Sequence, residues 1–387
     1  MSKSAVHTKK YLLPVLFLAL LVLHGVDAWF DFLPEPVVNE RRVPAEKPEL
    51  DPTFLDPFPR DYEQYYNDHF NWRNYFIKAS SYLNYHVFNK SSLPDKVLIG
   101  KNGWFFKAGA QLDIYRGKLR FTPDQLAEIG HELTYRQQIV EQNGGKYYLV
   151  IAPQKHKIYP ELLPDNITIV NPADATNQVL HYLKKNTSVN ALDLTPFLLR
   201  EKAKRDSILY LRTDHHWNFI AGLTAAKAIV DHLRNDFPTI PPVDVEAYDI
   251  AYDTYGGLVL AEMLGLEEEL NEYFPRLEPK FTPVARDTVR EYPPPNGFPF
   301  PKDYVVAKYT GKTELPSLFM VRESFASSLV DVLGERFEYS FFLFDNWKHE
   351  FNRDIYEIEK GDIFIQMIWE GLLFELLEDP PEGTGWK

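Results

Sequence analysis

The sequence predicts an α/β protein of three layers, in which a largely parallel sheet lies between helices. Two observations predict it. The first is a set of uninterrupted apolar runs of strand length. Tyr147–Ala152 is bounded by Gly144-Gly145 and Pro153, and Asp362–Ile368 is another such run. A run without polar alternation marks a strand buried on both faces, as strands of parallel sheets are. The second is the helical pattern between them. Phe219 to Leu233 carries apolar residues at helical spacing, with Ala221, Ala225 and Ala226 allowing close packing. Strands alternating with helices give a sheet covered on both faces and put reactive groups at the carboxyl ends of strands.

Taken in order, residues 1–30 form a targeting segment. Lys3, Lys9 and Lys10 precede an apolar run from Tyr11 to Leu23, the arrangement of a secretory signal. Val26-Asp27-Ala28 offers small residues at the offsets of a cleavage site. The run is shorter than the ~20 residues a spanning helix needs. Cleaved or kept, it leaves the lysines on the cytoplasmic side and the body translocated. Residues 31–60 are rich in Pro, Glu and Asp without periodicity and read as a linker, and residues 61–387 form the main domain. Aromatic spacing predicts helix from Tyr62 to Phe88. Asp174 to Lys185 is helical, Ala191–Leu194 is a short strand, and Ser207–Leu211 and Ser317–Val321 are strand-like. Residues 267–312, with Pro293-Pro294-Pro295, are a long excursion able to shape a groove. Pro380-Pro381-Glu382-Gly383 follows the last strand, which leaves no room for a separate carbohydrate-binding module after it.

The chain has 387 residues, a formal net charge of −13 and no cysteine. That length supports one large core. The acidic balance argues against nucleic acid as a partner. An acidic polymer would need a local basic groove, to which Lys155, His156 and Lys157 at a strand end can contribute. Lack of cysteine is compatible with an oxidising compartment. The 23 Tyr, 27 Phe and 7 Trp serve a core first and suit sugar rings second.

Reactive side chains concentrate in two places. Thr213-Asp214-His215-His216-Trp217 follows the strand-like run ending at Leu211 and precedes the helix at Phe219. About a hundred residues later, the run ending at Val321 continues into Arg322-Glu323-Ser324-Phe325 and a helical pattern. A serine hydroxyl is a poor nucleophile at neutral pH and needs a base, itself held in one tautomer by a third group. In an extended segment residues i and i+2 share a side. Asp214 can then reach His216, while His215 points away. Ser324, at a strand-to-helix turn, lies near free backbone N–H groups. One such donor to an oxyanion is worth roughly 100- to 1000-fold in rate. Two other readings stand beside this one. A serine before a helix also serves as a plain N-cap. Asp214, His215 and His216 are also metal-ligand types, although adjacent histidines in a strand face opposite ways.

The pattern extends beyond these residues. Tyr65–Arg73, Val97–Phe106, Val150–Pro164, Thr213–Trp217, Tyr255–Leu258, Met263–Leu266 and the serine block come in one order. Together they resemble the bacterial polysaccharide O-acetylation proteins of the AlgJ/AlgX type, the DHHW-like branch of the SGNH hydrolase superfamily. The resemblance covers about residues 60–375. It implies an SGNH-hydrolase-like α/β/α fold with permuted motif order, the D-x-H pair preceding the serine. It implies Ser324 as nucleophile, His216 as general base and acid, and Asp214 as orienting partner, with no metal or cofactor. The Ser324 N–H is the expected oxyanion donor, and Arg322 and Lys155 are candidates for an anionic sugar or acyl oxygen. One departure is plain: the family block reads Asp-Ser-Phe and this chain has Glu323-Ser324-Phe325. The implied activity is extracytoplasmic O-acetyl transfer or acetylester hydrolysis on a polysaccharide through an acetyl-enzyme. An integral-membrane acyltransferase would supply the acetyl group. The N-terminal segment would anchor the protein to the inner membrane, with Asn39-Glu40-Arg41-Arg42 as juxtamembrane linker. The alternative is a non-catalytic scaffold subunit of a polysaccharide modification or export complex, and Glu323 is its support.

Overall fold

The structure is a computed structural model that describes residues 3–38, 43–51, 53, 55–204, 208–345 and 347–381. Asn39–Arg42 lie outside the described residues. The chain divides into two compact units, Met1–Ser92 with Glu262–Glu268, and Leu93–Ala261 with Glu269–Lys387.

The larger unit is built on a seven-stranded sheet. Its strands are β1 (Lys146–Ala152), β2 (Asn190–Asp193), β3 (Arg286–Asp287), β4 (Val305–Tyr309), β5 (Leu318–Arg322), β6 (Tyr339–Phe344) and β7 (Ile363–Trp369). Their order is β2-β1-β7-β5-β6-β4-β3. The first five run parallel, and β4 and β3 complete the edge antiparallel. Every residue of β5 and β7 is buried, as the uninterrupted apolar runs require. Register places one aromatic per strand side by side across β1, β7, β5 and β6: Tyr147, Phe364, Phe319 and Phe341. Adjacent ring centroids are 5.4, 5.2 and 5.1 Å apart. Such a pair adds about 0.5–1.5 kcal/mol beyond area burial.

Successive residues of a strand face opposite ways, and β1 shows both outer layers. The Tyr147 hydroxyl donates to Gln366, which also receives Arg136 from helix Pro123–Gln142. Tyr148, on the other face, meets His232 of helix Phe219–Leu233 edge-on at 5.9 Å. The helices begin where their caps dictate. Thr122 and Gln125 form a capping box, and the Asn218 side chain accepts from the N–H groups of Ile220 and Ala221. Small residues in helix Phe219–Leu233 let the serine segment approach. A Cβ at Gly222 would fall 2.3 Å from the Ser328 hydroxyl oxygen.

Two sequence expectations differ from the structure. Residues 267–312 are not only an excursion. They supply β3, β4 and the strand Asn271–Pro279, which pairs antiparallel with Tyr248–Gly256 as a separate ribbon. The described part of the strand-like run, Ile208–Leu211, is not a strand. Its single bridge joins Tyr210 to Trp217.

The smaller unit holds one continuous helix, Lys3–Phe30, and helices Phe58–His69 and Arg73–His86; the last lies within the stretch Tyr62–Phe88 expected to be helical, and Phe58–His69 begins four residues before it. Tyr11–Phe30 is long and apolar enough to cross a membrane.

Candidate active site

Asp214 and His216 lie in a turn, and side chains hold that turn in place of a ladder. The Glu272 carboxylate accepts from the N–H groups of Arg212 and Thr213 and from the Thr213 hydroxyl, at 3.0, 2.7 and 2.6 Å. From the opposite direction the Lys155 ammonium donates to the carbonyls of Phe105, Leu211, Arg212 and Asp214, at 2.6, 2.8, 2.9 and 2.9 Å. It also lies over the Trp104 and Phe106 rings. Burial pulls this amine down to about 7, while Asp214 and Glu272 push the other way. Its carbonyl acceptors likewise favour the charged form.

Within the turn, Asp214 Oδ1 accepts from the backbone N–H groups of His215 and His216 and lies 2.9 Å from His216 Nδ1. A carboxylate can only accept, so Nδ1 carries a proton; with that tautomer of the imidazole, Nε2, 2.8 Å from Ser324 Oγ, is the acceptor. Burial alone would raise the Asp214 carboxyl. The adjacent His216 and His215 and their hydrogen bonds hold it well below the usual range instead. Asp214 is buried, whereas the His216 side chain keeps 20% of its surface exposed, so the relay opens to solvent at the base. His215 does not point away as the strand geometry implied. Its Nδ1 lies 3.1 Å from Asp214 Oδ1 and its ring 3.9 Å from that of His216. The cause is the turn, which brings both imidazoles to one carboxylate.

Ser324 opens a short 3₁₀ turn, Ser324–Ser328, directly after β5. Glu323 caps that turn by accepting the Phe325 N–H at 2.8 Å, so this donor is taken. The Ser324 N–H has no hydrogen-bond partner among the described residues. Glu323 Oε2 also lies 3.3 Å from Ser324 Oγ. Burial pushes the Glu323 carboxyl up to about 7, and its Oε1 has no partner among the described residues. The Trp217 indole joins the two halves by donating to the Phe325 carbonyl and Ser328 Oγ at 2.8 and 3.0 Å. Phe325 stacks on Trp369 at the end of β7.

Two expected substrate contacts are corrected by this geometry. Lys155 is 1% exposed and Arg322 2%. Lys155 is saturated by carbonyl oxygens of the base loop. Arg322 donates to the Asp303 carbonyl and Ser327 Oγ and lies over Phe344. Both groups hold protein and neither presents a charge to a groove. His156 is buried with its ring on the Lys107 carbonyl, and Lys157 pairs with Asp174 and Glu370.

The sequence profile described as "SGNH hydrolase-like domain, acetyltransferase AlgX" matches residues 97–293, about half of the chain. The chain belongs to this family. The matched residues include Asp214 and His216 and end before Ser324. A protein described as "Probable alginate O-acetylase AlgJ" from Pseudomonas syringae pv. tomato is 28% identical over 167 residues, 43% of this chain and 40% of that protein. The chain therefore spans about two fifths of that relative's length. Among solved structures, Bacillus cereus PatB1 with a sulfonyl adduct superposes with a TM-score of 0.52 at 15% identity, over 74% of this chain and 97% of the other. A DHHW family protein from Eubacterium siraeum gives 0.50 at 16% identity, over 75% and 97%. These two likenesses show the shared SGNH-like fold, and the family drawn from the sequence motifs is borne out.

Two features of this family member escaped sequence reasoning. Asp345, whose N–H donates to the Arg322 carbonyl, is buried and raised to about 8, by burial first and then by Glu323. His349 Nδ1 lies 3.3 Å from its Oδ2. Their spacing resembles ordinary loop composition and gave no signal. The second is how close Asp214, His215 and His216, already named as metal-ligand types, come to one another: their ligand-type atoms lie within 4.8 Å. The argument that adjacent histidines diverge does not hold in a turn, so these three residues are close enough to hold a cation. In the observed arrangement His216 directs its two nitrogens at Asp214 and Ser324 instead.

Proposed function

We propose that the protein is an extracytoplasmic O-acetyltransferase or acetylesterase acting on polysaccharide hydroxyls through an acetyl-enzyme on Ser324. The observation that carries this reading is the continuous contact from Ser324 Oγ to His216 Nε2 at 2.8 Å and from His216 Nδ1 to Asp214 at 2.9 Å. Ser324 Oγ attacks the acetyl carbonyl as His216 Nε2 takes its proton. The oxyanion so formed meets the Ser324 N–H. His216 then gives the proton to the departing oxygen, which leaves the acetyl group on Ser324. In the second half, a sugar hydroxyl loses its proton to His216 and attacks the acetyl carbon, and Ser324 regains a proton. Asp214 stays ionised throughout and steadies the imidazolium. With water as the second nucleophile the same steps hydrolyse the ester.

The acceptor class follows the description of the AlgJ relative. The helix Tyr11–Phe30 supports a location outside the cytoplasm with the helix kept as an anchor. An integral-membrane acyltransferase is the proposed acetyl source, as the resemblance to the AlgJ/AlgX type implies. The test uses full-length protein in detergent with an activated acetyl ester, following ester turnover and intact mass. Wild type should turn over and form a transient acetyl adduct, and Ser324→Ala and His216→Ala should do neither. Equal behaviour of all three folded proteins would refute the mechanism and favour the scaffold reading.

A further inference from the structure

The helices Phe58–His69 and Arg73–His86 have an inverted surface. An ordinary surface helix turns its apolar stripe inward. Phe58–His69 has no buried residue, and Arg73–His86 buries only Ser81. In the second helix Tyr75, Phe76, Ala79, Tyr82 and Leu83 recur at i, i+1, i+4, i+7 and i+8, one continuous face, and all five are exposed. Val87 and Phe88 extend the face past the helix end at 63% and 61% exposure. A contiguous exposed apolar patch of this kind marks an interaction surface.

Neighbouring residues say what covers it. The turn between the two helices is tied to the end of the apolar helix. Asp27 is the one buried residue of Tyr11–Phe30 and is 0% exposed. It accepts from the Trp72 indole at 2.5 Å, from Asn71 Nδ2 at 2.6 Å, and from the N–H groups of Phe32 and Leu33 at 3.0 Å each. His24 donates to the Asn71 carbonyl at 3.1 Å. Trp72 takes a left-handed backbone, φ 70°, to reach this position. An aromatic run then leads from one helix to the other, Tyr66 to Phe70 to Phe76, with centroids 6.1 and 6.3 Å apart. A tyrosine- and tryptophan-rich band at the end of an apolar helix is the composition of a bilayer interface. A helix with one apolar face lies in that plane.

We infer that this helix pair is a membrane-surface foot, whose stripe of Tyr75, Phe76, Tyr82 and Leu83 seats in the headgroup–acyl boundary of the bilayer crossed by the N-terminal helix. The inference rests on the reading of Tyr11–Phe30 as a span. Its effect is to fix the first residues of the body at the bilayer rather than let them swing on a free linker, on the side where a membrane-borne acetyl donor would emerge.

The chain has no cysteine, so each introduced thiol is the sole labelling site. Full-length Phe76→Cys, Tyr82→Cys and Leu16→Cys proteins, each carrying an environment-sensitive fluorophore, are reconstituted in phosphatidylcholine vesicles. Each is titrated with iodide and with shallow and deep spin-labelled lipid. Labels at 76 and 82 should resist iodide and lose most of their emission to the shallow lipid quencher, and the label at 16 to the deep one. Labels at 76 and 82 open to iodide, with 16 still quenched by lipid, overturn the foot and leave the span intact. Labels at 76 and 82 shielded from both quenchers also overturn it, since a protein surface then covers the stripe. A label at 16 that lipid does not quench overturns the span and the foot together.

Discussion

Replacing Lys155 by Met removes the donor that four backbone carbonyls share, three of them, Leu211, Arg212 and Asp214, inside the base loop. A buried acceptor left without its donor costs about 1–3 kcal/mol. Relief from burying an ammonium, itself several kcal/mol, offsets part of that. The balance is a stability loss on the order of 3 kcal/mol, typical of a broken buried polar network. The effect on catalysis is separate. Lys155 is fully covered and does not reach a substrate, so KM for a small ester should change little. The Asp214 carbonyl loses an anchor, and a displacement near 1 Å of the base costs about 100-fold in rate. Urea unfolding and ester turnover on the same Lys155→Met preparation read both effects. Unchanged turnover in protein whose unfolding midpoint has fallen would refute the positioning argument and leave Lys155 a structural residue only. A raised KM with unchanged kcat would restore the substrate contact that its burial argues against.

Trp217→Phe keeps the ring and removes the donor to Phe325 and Ser328; unfolding should show a loss of about 1 kcal/mol with a several-fold fall in kcat. The carboxyls of Glu323 and Asp345 sit near 7 and 8 in the folded chain, against 4.5 and 3.8 unperturbed. Between those values the folded state holds protons that the unfolded chain releases, so their contribution to stability is present at low pH and is lost as pH rises through 7 and 8. Denaturant unfolding at pH 5 and pH 8 should show that fall in wild type and a shallower one in Asp345→Asn. Treatment with a chelator should leave ester turnover unchanged, since the steps proposed run through Ser324, His216 and Asp214 alone. Loss of turnover on chelation, restored by a divalent cation, would instead assign the Asp214–His215–His216 set to a metal.

Some parts of this fold were legible because local chemistry decides them. β1 and β7 show as uninterrupted apolar runs, and helix Phe219–Leu233 shows through its apolar spacing and its alanines. Asp214 and His216 were legible as a pair, although for a partly mistaken reason. They meet in a turn held by Lys155 and Glu272, not along a strand. Neither holder was visible, because each acts on backbone groups, and any residue offers those. Lys155 beside His156 and Lys157 reads as part of a basic groove until a fold surrounds it with carbonyls. β3 and β4 were hidden for a different reason: they lie at and next to the sheet edge, amid prolines and charges, where one face need not be apolar.

The strand that joins the two sides of the site is the last of the seven in sequence. β7 separates β1 from β5 and pairs with both. Lys155 follows β1, and Ser324 follows β5. Before residues 363–369 are in place, these two strands share no ladder, and the base loop and the serine have no common frame. Closing contacts so distant in sequence is slow. A chain that emerges N-terminus first therefore holds Ser324 and His216 without a shared frame until residues 363–369 are free to pair.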